Sequence, residues 1–135
     1  METEIFEEMW LERFAAGISE ENLRKYVRDA GNYIWHVFSW KLLPEESFLA
    51  GERARQAYDA VSKEGAIYAA PFEAECGALP DDMKTARSAE ERTEIYVAGR
   101  DFRWTYIKTH ENDLCGPYFM RRTEDGDIER GSGEK

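Results

Sequence analysis

The sequence predicts an α+β fold in which N-terminal helices pack on a mainly antiparallel sheet that ends in a β-meander. Three observations predict it. In the first half, apolar residues recur at i, i+3, i+4 and i+7, the spacing that lines one face of a helix. From Thr93 onward the period falls to two. Between these regions, residues 33–40 are apolar on both alternating faces, as a strand buried inside a sheet would be. With 135 residues the chain suits one domain. That domain is expected over residues 1–122, and residues 123–135 (TEDGDIERGSGEK), polar and rich in acid and glycine, read as a flexible acidic tail.

Residues 2–16 read as an amphipathic helix. Ile5, Phe6, Met9, Trp10 and Phe14 form one broad stripe, and Glu4, Glu7, Glu8 and Glu12 decorate the rest. Gly17 stops it. Ser19 then caps a second helix, with Glu20 and Glu21 at the positive end of its dipole and Leu23, Tyr26, Val27 and Ala30 on one face, and Gly31 ends it. Residues 33–40 follow as a central strand, Tyr33, Trp35 and Val37 alternating with Ile34, His36, Phe38 and Trp40. Residues 45–62 are helical by pattern through Ala54, Ala57, Tyr58 and Val61, although Gly51 weakens the first turns and draws the start toward itself.

AIYAA, residues 66–70, reads as a short strand that Pro71 closes, and residues 72–78 follow neither period. Pro80, Asp81 and Asp82 open a short helix through about Arg87, and residues 88–91 form a polar connection. TEIYVAG, a turn around Gly99-Arg100-Asp101, and FRWTYIKTH make a hairpin. GPYFMRR adds the third strand. In this reading Phe102, Trp104 and Tyr106 share one face, ready to receive the helices, and Arg103, Thr105, Ile107 and Thr109 share the other.

Eighteen Lys and Arg stand against 28 Asp and Glu, a net charge of −10 that repels phosphates and anionic lipid and attracts basic partners. The excess is uneven. Residues 1–30 hold four basic and eight acidic side chains and residues 44–94 hold six and twelve, whereas residues 95–122 hold five and three. Neither nucleic acid nor a membrane surface is therefore expected as a partner. Residues 30–40, the longest nearly uncharged stretch, are about half the ~20 needed to cross a bilayer. Two cysteines, Cys76 and Cys115, are too few for a disulfide framework, and no apolar export segment begins the chain, so reduced thiols in a cytoplasm are expected.

Candidate chemistry concentrates in YIKTHENDLCGPYF, where His110, Glu111 and Cys115 lie within six residues. In this reading the residues flank the turn of a hairpin. A thiol nucleophile needs a base or a cationic neighbour, which His110 or His36 would have to supply. No zinc-like CxxC or HxxxH spacing and no phosphate-cradling or dinucleotide glycine motif occurs, so neither metal nor cofactor is expected. Small acidic α+β domains without catalytic signatures suit inhibition of basic proteins, where charge accelerates encounter and aromatic anchors hold the complex. Two acidic surfaces are candidates for that contact: Glu4, Glu7, Glu8 and Glu12 on the first helix, and Glu73, Glu75, Asp81 and Asp82 beyond the third.

YIWHVFSWK (33–41), GERARQAYD (51–59), and DFRWTYIKTHE (101–111) followed by GPYF (116–119) together resemble a bacterial family known as domain of unknown function 4275, over residues 31–122. The resemblance implies one soluble intracellular domain and brings no catalytic residues with it. Its pattern joins His36 and His110 as recurring letters. The expected function is thus a non-enzymatic, acidic protein-binding domain, an immunity or antitoxin-type inhibitor of a basic partner such as a nuclease toxin. The alternative is a small hydrolase or ligand-binding protein with its site at His36, His110, Glu111 and Cys115.

Overall fold

The computed structural model describes residues 2–111 and 114–122. Met1, Asn112, Asp113 and residues 123–135, the stretch expected to be a flexible acidic tail, lie outside the described residues.

The chain begins with helix α1 (Thr3–Phe14), which buries Phe6, Trp10, Leu11 and Phe14. The buried stripe is rotated from the one predicted: Ile5 is half exposed, whereas Glu7 is only 6 % exposed. Glu7 lies one turn before Leu11 and three residues before Trp10, and burying those two larger side chains carries Glu7 inward with them. Ser19 caps α2 (Glu20–Leu23), its hydroxyl accepting from Asn22 N at 3.1 Å. The helix then widens into a π turn (Arg24–Arg28), with i to i+5 bonds from Asp29 N to the Arg24 carbonyl and from Asn32 N to the Val27 carbonyl.

Residues 33–40 do not form a central strand. They form a turn leading into a short helix, α3 (His36–Ser39), that buries Ile34, Trp35, Val37 and Phe38. Ile34, Val37 and Phe38 stand at i, i+3 and i+4, so the run satisfies a helical face as well as an alternating one. Periodicity alone cannot decide so short an apolar stretch.

After a 3-10 turn (Glu45–Ser47), strand β1 (Leu49–Ala50) precedes α4 (Glu52–Ala60), whose start is at Gly51, φ 67°. β2 (Ile67–Ala70) matches AIYAA, and residues 72–78 turn and return as β3 (Glu75–Ala78). A 3-10 turn (Asp81–Met83) leads to α5 (Ala86–Ala89), where Thr85 and Ser88 cap each other; Ser88 is thus helical, not part of a connection. β4 (Ile95–Ala98), β5 (Trp104–Lys108) and β6 (Tyr118–Arg121) complete the meander.

Among the described residues six strands pair antiparallel, in the order β1-β6-β5-β4-β2-β3. Both faces of the sheet are covered. Tyr96 and Ala98 of β4, Ile107 of β5 and Tyr118 and Met120 of β6 meet α1, the α2 region and α3 in one core. Ile95, Val97, Trp104, Tyr106 and Phe119 meet α4 and α5 in the other. The predicted single aromatic face is corrected accordingly. Asp101 and Phe102 both have positive φ, 59° and 54°, and this kink puts the Phe102 ring 5.7 Å from Phe6 on the face opposite Trp104. The turn before it requires glycine, because a Cβ at Gly99 would lie 2.2 Å from Trp104 Nε1.

Candidate functional site

A carboxylate that the sequence reading did not single out organises the site. Glu94 stands at the head of β4 and is fully buried. Oε2 accepts from Trp35 Nε1 at 3.0 Å and from the Tyr96 hydroxyl, while Oε1 accepts from the backbone N of His110 at 3.0 Å and from His110 Nδ1 at 2.6 Å. Four donors on one carboxylate satisfy a group that would otherwise be costly to bury. The period of β4 carried the signal: Glu94 shares the face of Tyr96 and Ala98, so an acid there had to find partners inside a core.

Because a carboxylate only accepts, His110 Nδ1 carries the proton and Nε2 is directed outward, 3.7 Å from Glu111 Oε2. His36 is held differently. Its Nδ1 donates to the Tyr26 carbonyl at 2.7 Å, exposed to it by the π turn, and its ring is half-buried instead of sealed in a core strand.

The two histidines share no hydrogen bond, yet both rest on the same two rings. Tyr33 lies 5.0 Å from His110 and 5.6 Å from His36, and Trp35 lies 5.7 Å and 4.7 Å from them. The contacts continue at each end: Phe72 is 5.3 Å from His110, Trp40 is 6.1 Å from His36, and Tyr26 is 5.4 Å from Trp40. A band of seven rings results. Two of its rings are open to solvent, Phe72 at 51 % and Trp40 at 56 % exposed.

Cys115 does not join His110. Its thiol faces Glu111 Oε1 at 3.7 Å, and burial, then the Glu111 charge, push its pKa up, away from the thiolate that nucleophilic chemistry needs. Cys76 is half-buried on β3, and its thiol is likewise pushed up, chiefly by burial. Among the described residues, no three His, Cys, Asp or Glu side chains are grouped to hold a metal ion. Among them also, no helix is long and apolar enough to cross a membrane.

Several acids of the two predicted surfaces are paired with bases. Glu8 pairs with Arg28, which also reaches Glu20 at 3.4 Å, and Glu4 and Glu12 are exposed. Glu73 and Glu75 both turn to Arg92, at 3.8 Å and 2.9 Å, and Asp81 binds Lys84 at 2.7 Å beside exposed Asp82. Glu7 leaves that surface altogether. It lines a cleft of about 200 Å³ walled by Thr3 and Glu4 of α1, by Gly31, Asn32 and Tyr33, and by Pro71 and Tyr96. Asn32 Nδ2 donates to Glu7 Oε1 at 3.2 Å, and no described residue donates to Oε2. Burial, helped by the charges of Glu4, Glu94 and Glu8, pushes the Glu7 pKa up to about 7. Tyr33 belongs both to this cleft and to the ring band, so the two form one continuous site.

A sequence model of one protein family, described as "Domain of unknown function (DUF4275)", matches residues 3–119. The match takes in the N-terminal helices as well as the motifs from residue 31 on. No curated protein and no solved structure matches the chain.

Proposed function

The chain belongs to the DUF4275 family, and on that premise we propose that it is a non-enzymatic receptor for a basic protein, acting in the cytoplasm as an inhibitor of the immunity or antitoxin type, with a partner such as a nuclease toxin. The ring band carries this reading. Exposed Phe72 and Trp40, linked through Tyr33, Trp35 and two histidines, supply the aromatic anchors that dominate protein interfaces. The carboxylates of Glu4 and Glu7 lie against the same band, and a net charge of −10 speeds encounter with a cationic protein.

Capture of proteins from a host-cell lysate, with identification of what binds, tests it. Wild type is expected to hold an identified basic protein at about 0.1 M NaCl, to release most of it at about 1 M, where surface charge is screened, and to lose it when Phe72→Ala and Trp40→Ala are combined. Identical capture by the double variant, or capture of acidic proteins alone, overturns the reading.

One observation favours the second reading, a small hydrolase: Glu94 orients His110 with Nε2 free to take a proton, the posture of a general base. A hydrolytic activity of the purified chain that disappears in His110→Ala but survives Phe72→Ala would establish it over inhibition.

A further inference from the structure

Resting on the reading of the chain as a receptor for a basic protein, we infer that the cleft at Glu7 receives a single arginine side chain of that partner. Glu7 is 6 % exposed, yet among the described residues it has no cationic partner, and Oε2 has no hydrogen-bond donor. The charges that act on it are those of three other carboxylates, and its raised pKa records how poorly the ionised form is satisfied. A buried, unpaired carboxyl beside an open cavity is a vacancy for a positive charge.

The walls favour guanidinium over ammonium. Half-buried Tyr33 gives the cleft an aromatic side, with fully buried Tyr96 behind it, and a planar, weakly hydrated cation packs on such a wall better than a compact, strongly hydrated one. Asn32 fixes Glu7 through Oε1, which leaves Oε2 to accept from the incoming fork, and exposed Glu4 attracts the charge at the mouth. The local backbone serves this arrangement. Gly31 (φ 93°) and Asn32 (φ 62°) are both left-handed, and a Cβ at Gly31 would lie 2.8 Å from the Tyr33 ring, so the turn that delivers Asn32 to Glu7 also seats Tyr33.

Titration of the isotope-labelled full chain with Nα-acetylarginine amide, followed by amide chemical shifts at constant ionic strength, tests the inference. Saturable shifts are expected at Glu7, Gly31, Asn32 and Tyr33. Nα-acetyllysine amide should bind several-fold more weakly. Glu7→Gln should weaken arginine binding by about tenfold or more while leaving the fold intact by circular dichroism. Asn32→Gly, which keeps the left-handed backbone, should weaken it less, and this variant serves if Glu7→Gln fails to fold. Shifts confined to other acidic positions, or equal affinity for wild type and Glu7→Gln, overturn the arginine site. If that occurs while a basic protein is still captured through Phe72 and Trp40, the receptor reading stands without it. If the arginine probe saturates the cleft but no basic protein is captured, the cleft is a cation site and the receptor reading falls.

Discussion

At the scale of the residue, Glu7 sets the price of the site in the free protein. Its carboxyl is raised from 4.5 to about 7, so between those values the folded state holds a proton that the unfolded chain has released. Stability therefore falls as pH rises through this window, by about 1.4 kcal/mol per unit and about 3 kcal/mol in all. Glu7→Gln removes the titration. We expect the variant to be more stable than wild type by about 2–3 kcal/mol near pH 8 and nearly equal to it below pH ~5, as read from urea midpoints. A substitution that strengthens the fold while weakening arginine binding about tenfold or more is the signature of a group kept for function. Legibility at this scale was uneven. His36 and His110 stood out because the chain has two histidines and both adjoin aromatic motifs. Glu7 and Glu94 did not, since each is one of 28 acids: only the rotation of α1 shows that Glu7 points inward, and the sole sequence mark of Glu94 is the period of β4, which puts it on the face of Tyr96 and Ala98.

At the scale of the element, the long or punctuated segments could be read and the short apolar ones could not. α1, α4 and β4 to β6 form where the sequence expects a helix or a strand, with Gly17, Gly51, Gly99 and Gly116 beside their ends, although the buried stripe of α1 is rotated. Residues 33–40 failed because four buried positions in eight residues fit either period, and contacts distant in sequence, such as the Trp35 hydrogen bond to Glu94, cannot be read from the segment itself. The π turn at Arg24–Arg28 has no sequence mark at all, although it frees the Tyr26 carbonyl for His36. The β4–β5 turn supplies a test. Gly99→Ala forces a methyl to within 2.2 Å of the Trp104 ring nitrogen, and the indole must tilt away. We expect a loss of about 1–3 kcal/mol in denaturant unfolding, with the indole displaced toward α4 and altered tryptophan fluorescence. Gly17, with no atom within 4 Å of such a Cβ, is the matched control.

At the scale of the molecule, the α+β class was legible, while the three-layer arrangement was not, because Tyr, Trp and Phe fall on both sides of the strands and the helical turns are too short to announce which side each covers. Charge acts at this scale too. A net −10 on one domain repels itself, so raising NaCl from about 0.01 M to about 0.15 M should raise Tm by a few degrees, measured calorimetrically; a fall would mean that ion pairs such as Arg92 with Glu75 outweigh the repulsion.

The strand order also governs how the chain comes into being. The two middle strands of the sheet, β5 and β4, are made late, and β1 waits for β6: Leu49 pairs with Phe119, and the Trp10 indole hydrogen-bonds Thr105 at 2.8 Å. During synthesis the three helical segments that form the first layer therefore emerge before there is anything for them to cover. At ~5–20 residues per second, several seconds separate Trp10 from Thr105. Over that interval Phe6, Trp10 and Phe14 are open to water and to chaperones. The ribosome thus releases a chain whose first-made layer is its last to be sheltered.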